Sequence, residues 1–346
     1  MSATPVAIIG DHFMLPEIFA EALKRLEQPL ELRSLTLPWP DEPMVHGYAG
    51  DALDGVREFM GDPDSIVEFA EDCEILVTHL APITRSMLQR LGRLKLIAVS
   101  RGGPVNIDLA AAREKGVAVV NTPGRNASAV AEFTLGMILA QTRLISAGHD
   151  ALRAGEWRGD LYRTDRTGEE LSEMTVGVVG YGQIGTRVVP LLHAFGCRIL
   201  VCDPYKQLRA EDRARGVRQV ALEELLAESD VVTLHARVTE ETTGFIDEAA
   251  LARMKPGAYL INTARGPLVD YDALYRVLRD GRLRGAALET FAVEPVPPDW
   301  PLLKLENVTL TPHIAGASIK TVKIAAEMTA EEVRRFLSGE PLRFTV

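Results

Sequence analysis

The stretch Gly177-Val-Val-Gly180-Tyr-Gly182-Gln-Ile-Gly185 decides the fold of this chain, because of what flanks it on both sides. Residues 174–179 read as a short buried strand. After the glycines, Val188, Leu191, Leu192 and Phe195 recur at the spacing of one apolar helix face. Residues 198–203 form a second strand that ends in an acid, Asp203, 18 residues past Gly185. A lone G-x-G-x-x-G carries little weight, but strand, glycine turn, helix, strand and terminal acid in series make the dinucleotide-binding fingerprint. Gly180 permits the tight turn, Gly182 admits a pyrophosphate close to the backbone, and Gly185 lets the helix pack on the strand. The helix start, with Tyr181, Gln183 and Ile184 between the glycines, offers N–H groups to the anion. Asp203 can accept hydrogen bonds from a ribose diol and would repel a 2′-phosphate, so NAD is expected rather than NADP. Lys206 and Arg209 close behind it temper that exclusion.

The composition, 47% hydrophobic and 25% charged, is ordinary for a soluble globular protein. A chain of 346 residues has room for two domains, each with its own core. A net charge of −10 without a long basic run excludes nucleic acid as a main partner. Cys73, Cys197 and Cys202 are odd in number and scattered, so neither a disulfide framework nor a metal site is expected. The most apolar helix candidate, 130–145, is interrupted by Glu132, Gln141 and Arg143 and is too short to span a bilayer. The N-terminus has no basic region and turns acidic by Asp11, so no secretory leader is expected. These features point to a cytoplasmic protein in a reducing compartment, with no membrane partner.

Outward from the fingerprint, strand and helix patterns alternate in both directions. Before it, strands are expected over 6–9, 31–35, 74–78, 94–99 and 117–120, with helices over 16–26, 63–71, 84–91 and 109–115. After it, strands are expected over 230–235, 258–262, 285–288 and 308–311, and a closing helix over 318–337. The alternation argues for parallel sheets with helices on both faces. Residues 38–55, with three prolines and four acids, read as a surface loop. A single long helix is expected over 128–152, burying Leu135, Ile138, Leu139 and Leu144, followed by a polar arm to residue 172. Such a helix and arm serve either a dimer or packing within one subunit.

Three polar residues stand at strand ends of the second half, where ligands gather in such folds. These are Arg265 in Asn262-Thr-Ala-Arg265-Gly266, Glu294 before Pro295, and His313 in Thr311-Pro-His313-Ile-Ala-Gly316. Oxidation of an alcohol by a nicotinamide needs a base, and histidine titrates near working pH. A neighbouring carboxylate orients that ring and raises its pKa. An arginine holds a carboxylate through a bidentate pair.

Together with Met254-Lys-Pro-Gly257, Ile261 to Asp270, Gly285-Ala-Ala-Leu-Glu-Thr-Phe291 and Glu294-Pro295, these motifs resemble the D-isomer-specific 2-hydroxyacid dehydrogenases. That group includes glyoxylate/hydroxypyruvate reductases and phosphoglycerate dehydrogenases. The resemblance covers about residues 74–318. It implies an α/β fold of two doubly wound parallel-sheet domains: a discontinuous flavodoxin-like substrate domain, 1–123 plus 317–346, and a Rossmann NAD-binding domain, 124–316. A dimerisation helix and arm would lie at about 128–165, making a homodimer. The resemblance implies Arg265 as substrate clamp, His313 as general acid/base and Glu294 as its partner. It implies further cofactor contacts from His235, Ala236, Thr242, Ala264 and Ala315. The expected activity is NAD-dependent hydride transfer at C2 of a small polar 2-hydroxy or 2-oxo acid. A corepressor-type NAD(H) sensor with little turnover is the alternative, and oxidation of formate or phosphite is a third reading.

The chain departs from the family pattern in three places. Glu289 stands where the family usually carries the aspartate that holds the nicotinamide amide, and it is expected to make that cofactor contact with one methylene more. Arg237 replaces the usual proline of Leu-His-x-Pro, either contacting a phosphate or pairing with surface acids. The loop Val99-Ser-Arg-Gly-Gly-Pro-Val-Asn-Ile-Asp108 is shorter than the usual glycine-rich substrate loop, and its Pro104 offers no N–H. Here Arg101, with Gly102 and Gly103, is expected to bind substrate, or else Arg101 is a structural turn residue. His79, at the end of its strand, is expected to face the same ligand.

Overall fold

The computed structural model describes residues 3–39 and 53–346; most of the expected loop over 38–55 lies outside the described residues. The chain divides into two compact units, 1–126 with 317–346, and 127–316.

The first unit is built on β1 (Thr4–Gly10), β2 (Leu30–Thr36), β3 (Ile75–Thr78), β4 (Leu96–Val99) and β5 (Ala118–Asn121). All pairings are parallel, in the order β2-β1-β3-β4-β5, the flavodoxin-like arrangement. Its helices are α1 (Pro16–Lys24), α2 (Pro63–Ala70), α3 (Arg85–Arg90) and α4 (Leu109–Lys115), with a C-terminal helix, Ile319–Leu337. Local chemistry sets their starts. Asp62, Thr84, Asp108 and Ser318 each accept a backbone N–H from the first turn of the helix they precede. Strands β1, β3, β4 and β5 are largely buried, as parallel strands covered on both faces are, while the edge strand β2 has no buried residue. On one face Val6, Ile8, Ile75, Val77 and Leu96 pack against α1 residues Phe19 and Leu23 and against Val322, Ala326 and Val333 of the C-terminal helix. The return of the last helix to the first unit therefore follows from an apolar face that only this core covers.

The second unit carries β6 (Thr175–Val179), β7 (Arg198–Cys202), β8 (Arg218–Gln219), β9 (Val231–Leu234), β10 (Tyr259–Asn262), β11 (Gly285–Leu288) and β12 (Val308–Leu310). They form one parallel sheet in the order β12-β11-β10-β9-β6-β7-β8. The order reverses between β6 and β9, the switch point where doubly wound sheets bind ligands. The two-residue strand β8 carries no sequence pattern of its own.

Helices of this unit are α5 (Ala127–Thr142), α6 (Ile145–Arg153), α7 (Gly185–His193), α8 (Ala210–Ala214), α9 (Leu222–Glu228), α10 (Glu248–Arg253) and α11 (Tyr271–Arg279). The single helix expected over 128–152 is thus two. The break is at Leu144, which takes the left-handed conformation at φ 56°. Gln141 is buried and bridges to the far edge of the sheet, its Nε2 donating to the Asn307 carbonyl at 2.9 Å and its Oε1 accepting from Thr309 at 2.8 Å. Ile138 is fully buried; Leu135, Leu139 and Leu144 are half-buried.

Candidate active site

The candidate residues of the second unit lie at or in the loops that follow the C-terminal ends of its strands. At the end of β10, fully buried Asn262 shapes the turn before Arg265: its Nδ2 donates to the Arg265 carbonyl at 3.0 Å and its Oδ1 accepts from the Ala264 N–H at 3.1 Å. Arg265 itself is exposed. Beyond β11, buried Glu294 accepts the Phe291 N–H on Oε1 at 2.7 Å. An aromatic group holds that loop from beneath. The Tyr271 hydroxyl donates to the Thr290 carbonyl, and its ring packs 5.4 Å from Trp300 and 6.3 Å from Phe291.

His313, beyond β12, meets Glu294: Nδ1 lies 2.7 Å from Oε2. An ionised carboxylate only accepts, so Nδ1 carries the hydrogen of that bond. Burial disfavours a charged ring here, but the hydrogen bond and charge of Glu294, reinforced by Glu289 and opposed by Arg265, lift the His313 pKa above its ordinary value. The Arg265 guanidinium is therefore near enough to act on the ring electrostatically. His313 also takes a left-handed backbone at φ 53°, which costs a non-glycine residue about 1–3 kcal/mol.

The glycine turn occupies the switch point. A Cβ on Gly180, whose φ is 98°, would lie 2.7 Å from the His235 carbonyl carbon, and one on Gly185 would lie 2.1 Å from the Gly180 oxygen. Gly182 meets nothing within 4 Å, so the space beside it is open for a ligand. Asp203, at the end of β7, is locked in place by three backbone donors: Tyr181 N–H at 2.6 Å, Tyr205 N–H at 2.8 Å and Lys206 N–H at 2.9 Å. The Tyr181 side chain is buried, and its hydroxyl donates to Asp212. Its N–H is thus taken by Asp203, which leaves Gly182, Gln183 and Ile184 at the open start of α7. His235 is buried and its pKa is pushed down to about 3, so it is neutral. Its Nε2 is 3.1 Å from the Thr233 hydroxyl, while Nδ1 has no partner among the described residues. A buried orphan beside an open glycine turn and a fixed acid fits a dinucleotide. Ala264 and Ala315 are buried, Ala236 is half-buried, and the Thr242 hydroxyl is tied to the Arg237 carbonyl at 2.5 Å within its own loop.

In the first unit, Arg101 does not stand open to a ligand. It donates to the Glu58 carbonyl at 2.9 Å and pairs with the Glu58 carboxylate. Gly102 and Gly103 are exposed, and a Cβ on either would meet nothing within 4 Å. The loop is tethered to β5 through Asn121, whose Nδ2 donates to the Gly102 carbonyl at 2.9 Å. His79 is buried and its Nδ1 is 2.6 Å from Oδ2 of fully buried Asp11. Burial outweighs Asp11 and lowers the His79 pKa, so the ring is neutral and Nδ1–H donates. Its Nε2 then faces Nη2 of Arg125 at 3.5 Å. Burial, with repulsion from Arg101, lowers Arg125 to about 10, and its buried Nε has no partner among the described residues. Sequence reasoning missed both Asp11 and Arg125. The available signal was their position, one residue past β1 and four past β5, at the ligand-binding ends of strands.

A family model described as "D-isomer specific 2-hydroxyacid dehydrogenase, NAD binding domain" matches residues 135–315. The chain belongs to that family. This dehydrogenase is 41% identical over 278 residues to a glyoxylate reductase of Korarchaeum cryptofilum, covering 80% of this chain and 83% of that protein. It is 38% identical over 279 residues to a D-3-phosphoglycerate dehydrogenase of Methanocaldococcus jannaschii, covering 80% of this chain but 52% of that protein. A solved structure of D-2-hydroxyisocaproate dehydrogenase matches 98% of this chain and 99% of that one, with a TM-score of 0.80 at 27% identity. The protein is an NAD-dependent oxidoreductase acting at C2 of a 2-hydroxy or 2-oxo acid.

Proposed function

We propose that this dehydrogenase reduces a small polar 2-oxo acid, with His313 as acid/base, Glu294 as its partner and Arg265 as the carboxylate clamp. One observation carries the reading: the 2.7 Å bond between His313 Nδ1 and Glu294, on the same sheet ends as Arg265 and the glycine turn. Because Nδ1–H is held by Glu294, Nε2 is the nitrogen that gives its proton to the C2 oxygen in reduction and takes it back in oxidation. Glu294 keeps the ring protonated for the first task. Arg265 binds the substrate carboxylate through two parallel N–H donors and polarises the adjacent carbonyl. When bound, the nicotinamide supplies or accepts the hydride at C2. Gly180, Gly182, Gln183, Ile184 and Gly185 hold the dinucleotide phosphates, and Asp203 holds the ribose. His235, Ala236, Thr242, Ala264 and Ala315 line the remainder. Within the first unit, the exposed Gly102 and Gly103 and the His79–Arg125 pair offer donors to an anion, and Arg101 braces that loop through Glu58.

Glyoxylate is a fitting substrate given the names of the relatives, and family membership favours catalysis over a binding-only role. The test is NADH and NADPH oxidation with glyoxylate, hydroxypyruvate, phosphohydroxypyruvate and sugar-derived 2-oxo acids. Turnover with NADH supports the reading; tight NADH binding without turnover on any acid overturns it.

We also infer a homodimer formed through α6 and the arm after it. Ile145, Leu152, Trp157 and Tyr162 there are 57%, 60%, 86% and 94% exposed, a concentration of apolar surface that a monomer seldom shows to water. Sedimentation of the wild type as a dimer, and of Trp157→Glu as a monomer, is the expected result. The three thiols are free, and no helix among the described residues is long and apolar enough to cross a membrane, which supports a cytoplasmic location.

A further inference from the structure

The carboxylate of Glu289 has a task that the family resemblance does not assign to it. Glu289 directly follows β11 and is 1% exposed. It meets the His313 turn twice. Its backbone carbonyl accepts the His313 N–H at 3.0 Å, and its Oε1 accepts the Ala315 N–H at 2.7 Å. Between those two bonds lies the left-handed residue His313, a conformation uncommon for a non-glycine residue that persists where its surroundings hold it. The second bond depends on side-chain length. An aspartate on the same backbone falls short by about one C–C bond, roughly 1.5 Å, which stretches the contact well beyond hydrogen-bonding distance.

We propose that Glu289 is a positioning residue for His313: its carboxylate fixes the left-handed turn through the Ala315 N–H, and the task requires the reach of glutamate. The inference rests on the reading of His313 as the proton-exchanging group. It accounts for a glutamate rather than an aspartate at this position. Here the extra methylene carries the carboxylate to the histidine turn. Glu289 thus acts with Glu294 from a different direction: Glu294 holds the ring at Nδ1, and Glu289 holds the backbone from which the ring projects.

Three variants separate reach, charge and bulk. Glu289→Asp keeps the charge and loses the reach, Glu289→Gln keeps the acceptor oxygen and loses the charge, and Glu289→Met fills the buried volume with neither. With glyoxylate and NADH as probes, Glu289→Asp lowers kcat at least tenfold while KM for glyoxylate and the Kd for NADH stay within twofold. Glu289→Met repeats the fall, and Glu289→Gln recovers at least fivefold over either. If the aspartate variant does not fold, the methionine and glutamine pair carries the comparison. A kcat loss below tenfold in the acceptor-less variants overturns the proposal. So does a glutamine variant less than fivefold better than they are, or a loss that appears as weaker NADH binding. The last result would return Glu289 to a nicotinamide contact. None of these outcomes bears on whether His313 exchanges the proton, which His313→Gln tests separately.

Discussion

Replacing Glu294 by glutamine removes one charge from a buried pair and leaves its shape intact. In the wild type the Glu294 side chain is 9% exposed and the His313 side chain 29%, with 2.7 Å between Oε2 and Nδ1. A hydrogen bond to a charged group in such a setting is worth about 1.5–3 kcal/mol. At 1.36 kcal/mol per pKa unit, its loss lowers the His313 pKa by about 1–2 units. The direction is set by what remains. Burial and Arg265 both oppose the charged ring, and Glu289 alone supports it, so the pKa moves from above its ordinary value toward or below it. Reduction uses the protonated ring and is fastest below the His313 pKa. At a pH above the wild-type His313 pKa its kcat/KM therefore falls about 10–100-fold, following a tenfold loss of protonated ring per unit. The limb of the reduction profile moves to lower pH by the same 1–2 units. Oxidation uses the neutral ring, so its rising limb moves the same way. The assay is kcat/KM from pH 5 to 10 in both directions, with glyoxylate and NADH, then glycolate and NAD. A uniform loss of rate with no displacement of either limb would refute the reasoning, because Glu294 would then be structural only.

Two further outcomes follow from buried charges. Burial pushes Glu289 up to about 7, with Glu294 adding to it and His313 and the Ala315 N–H opposing. A raised carboxyl contributes stability that is present below its unfolded value, near 4.3, and lost as pH rises through about 7. Glu289→Gln therefore raises Tm relative to wild type at pH 8 and does so much less at pH 5; equal shifts at both would contradict the assignment, as read by calorimetry. Arg125→Ala removes a guanidinium that has no carboxylate within ion-pair distance among the described residues. It is expected to raise KM for the 2-oxo acid at least tenfold and leave the Kd for NADH unchanged; an unchanged KM would show that Arg125 meets no substrate.

The reading from sequence was strongest where local pattern and chemistry coincide. The glycine turn, the parallel strands and the residues at their ends are legible because a buried strand must be apolar along its length and must stop where polar residues begin. Gly285–Leu288 is an example: four small or apolar residues bounded by Arg284 and Glu289. The break at Leu144 was not legible, since the apolar spacing continues past it. The left-handed Leu144 separates α5 from α6, and no spacing of apolar residues encodes that turn. Arg101 carried a similar ambiguity, and its partner Glu58 is 43 residues upstream. The Asp11–His79–Arg125 chain joins three strand ends that become neighbours only in the order β1-β3-β4-β5. For Glu289 the residue type was visible and the task was not. Its carboxylate is claimed by a backbone N–H 26 residues downstream.

The most direct test of the account is His313→Gln. Glutamine keeps a hydrogen-bonding side chain but has no group that titrates near neutrality. The account predicts that NADH still binds with wild-type affinity, because the glycine turn and Asp203 are untouched, while NADH oxidation with the best 2-oxo acid falls by at least about 10²–10⁴-fold, the contribution of a positioned acid/base. Turnover within tenfold of wild type in that variant would contradict it.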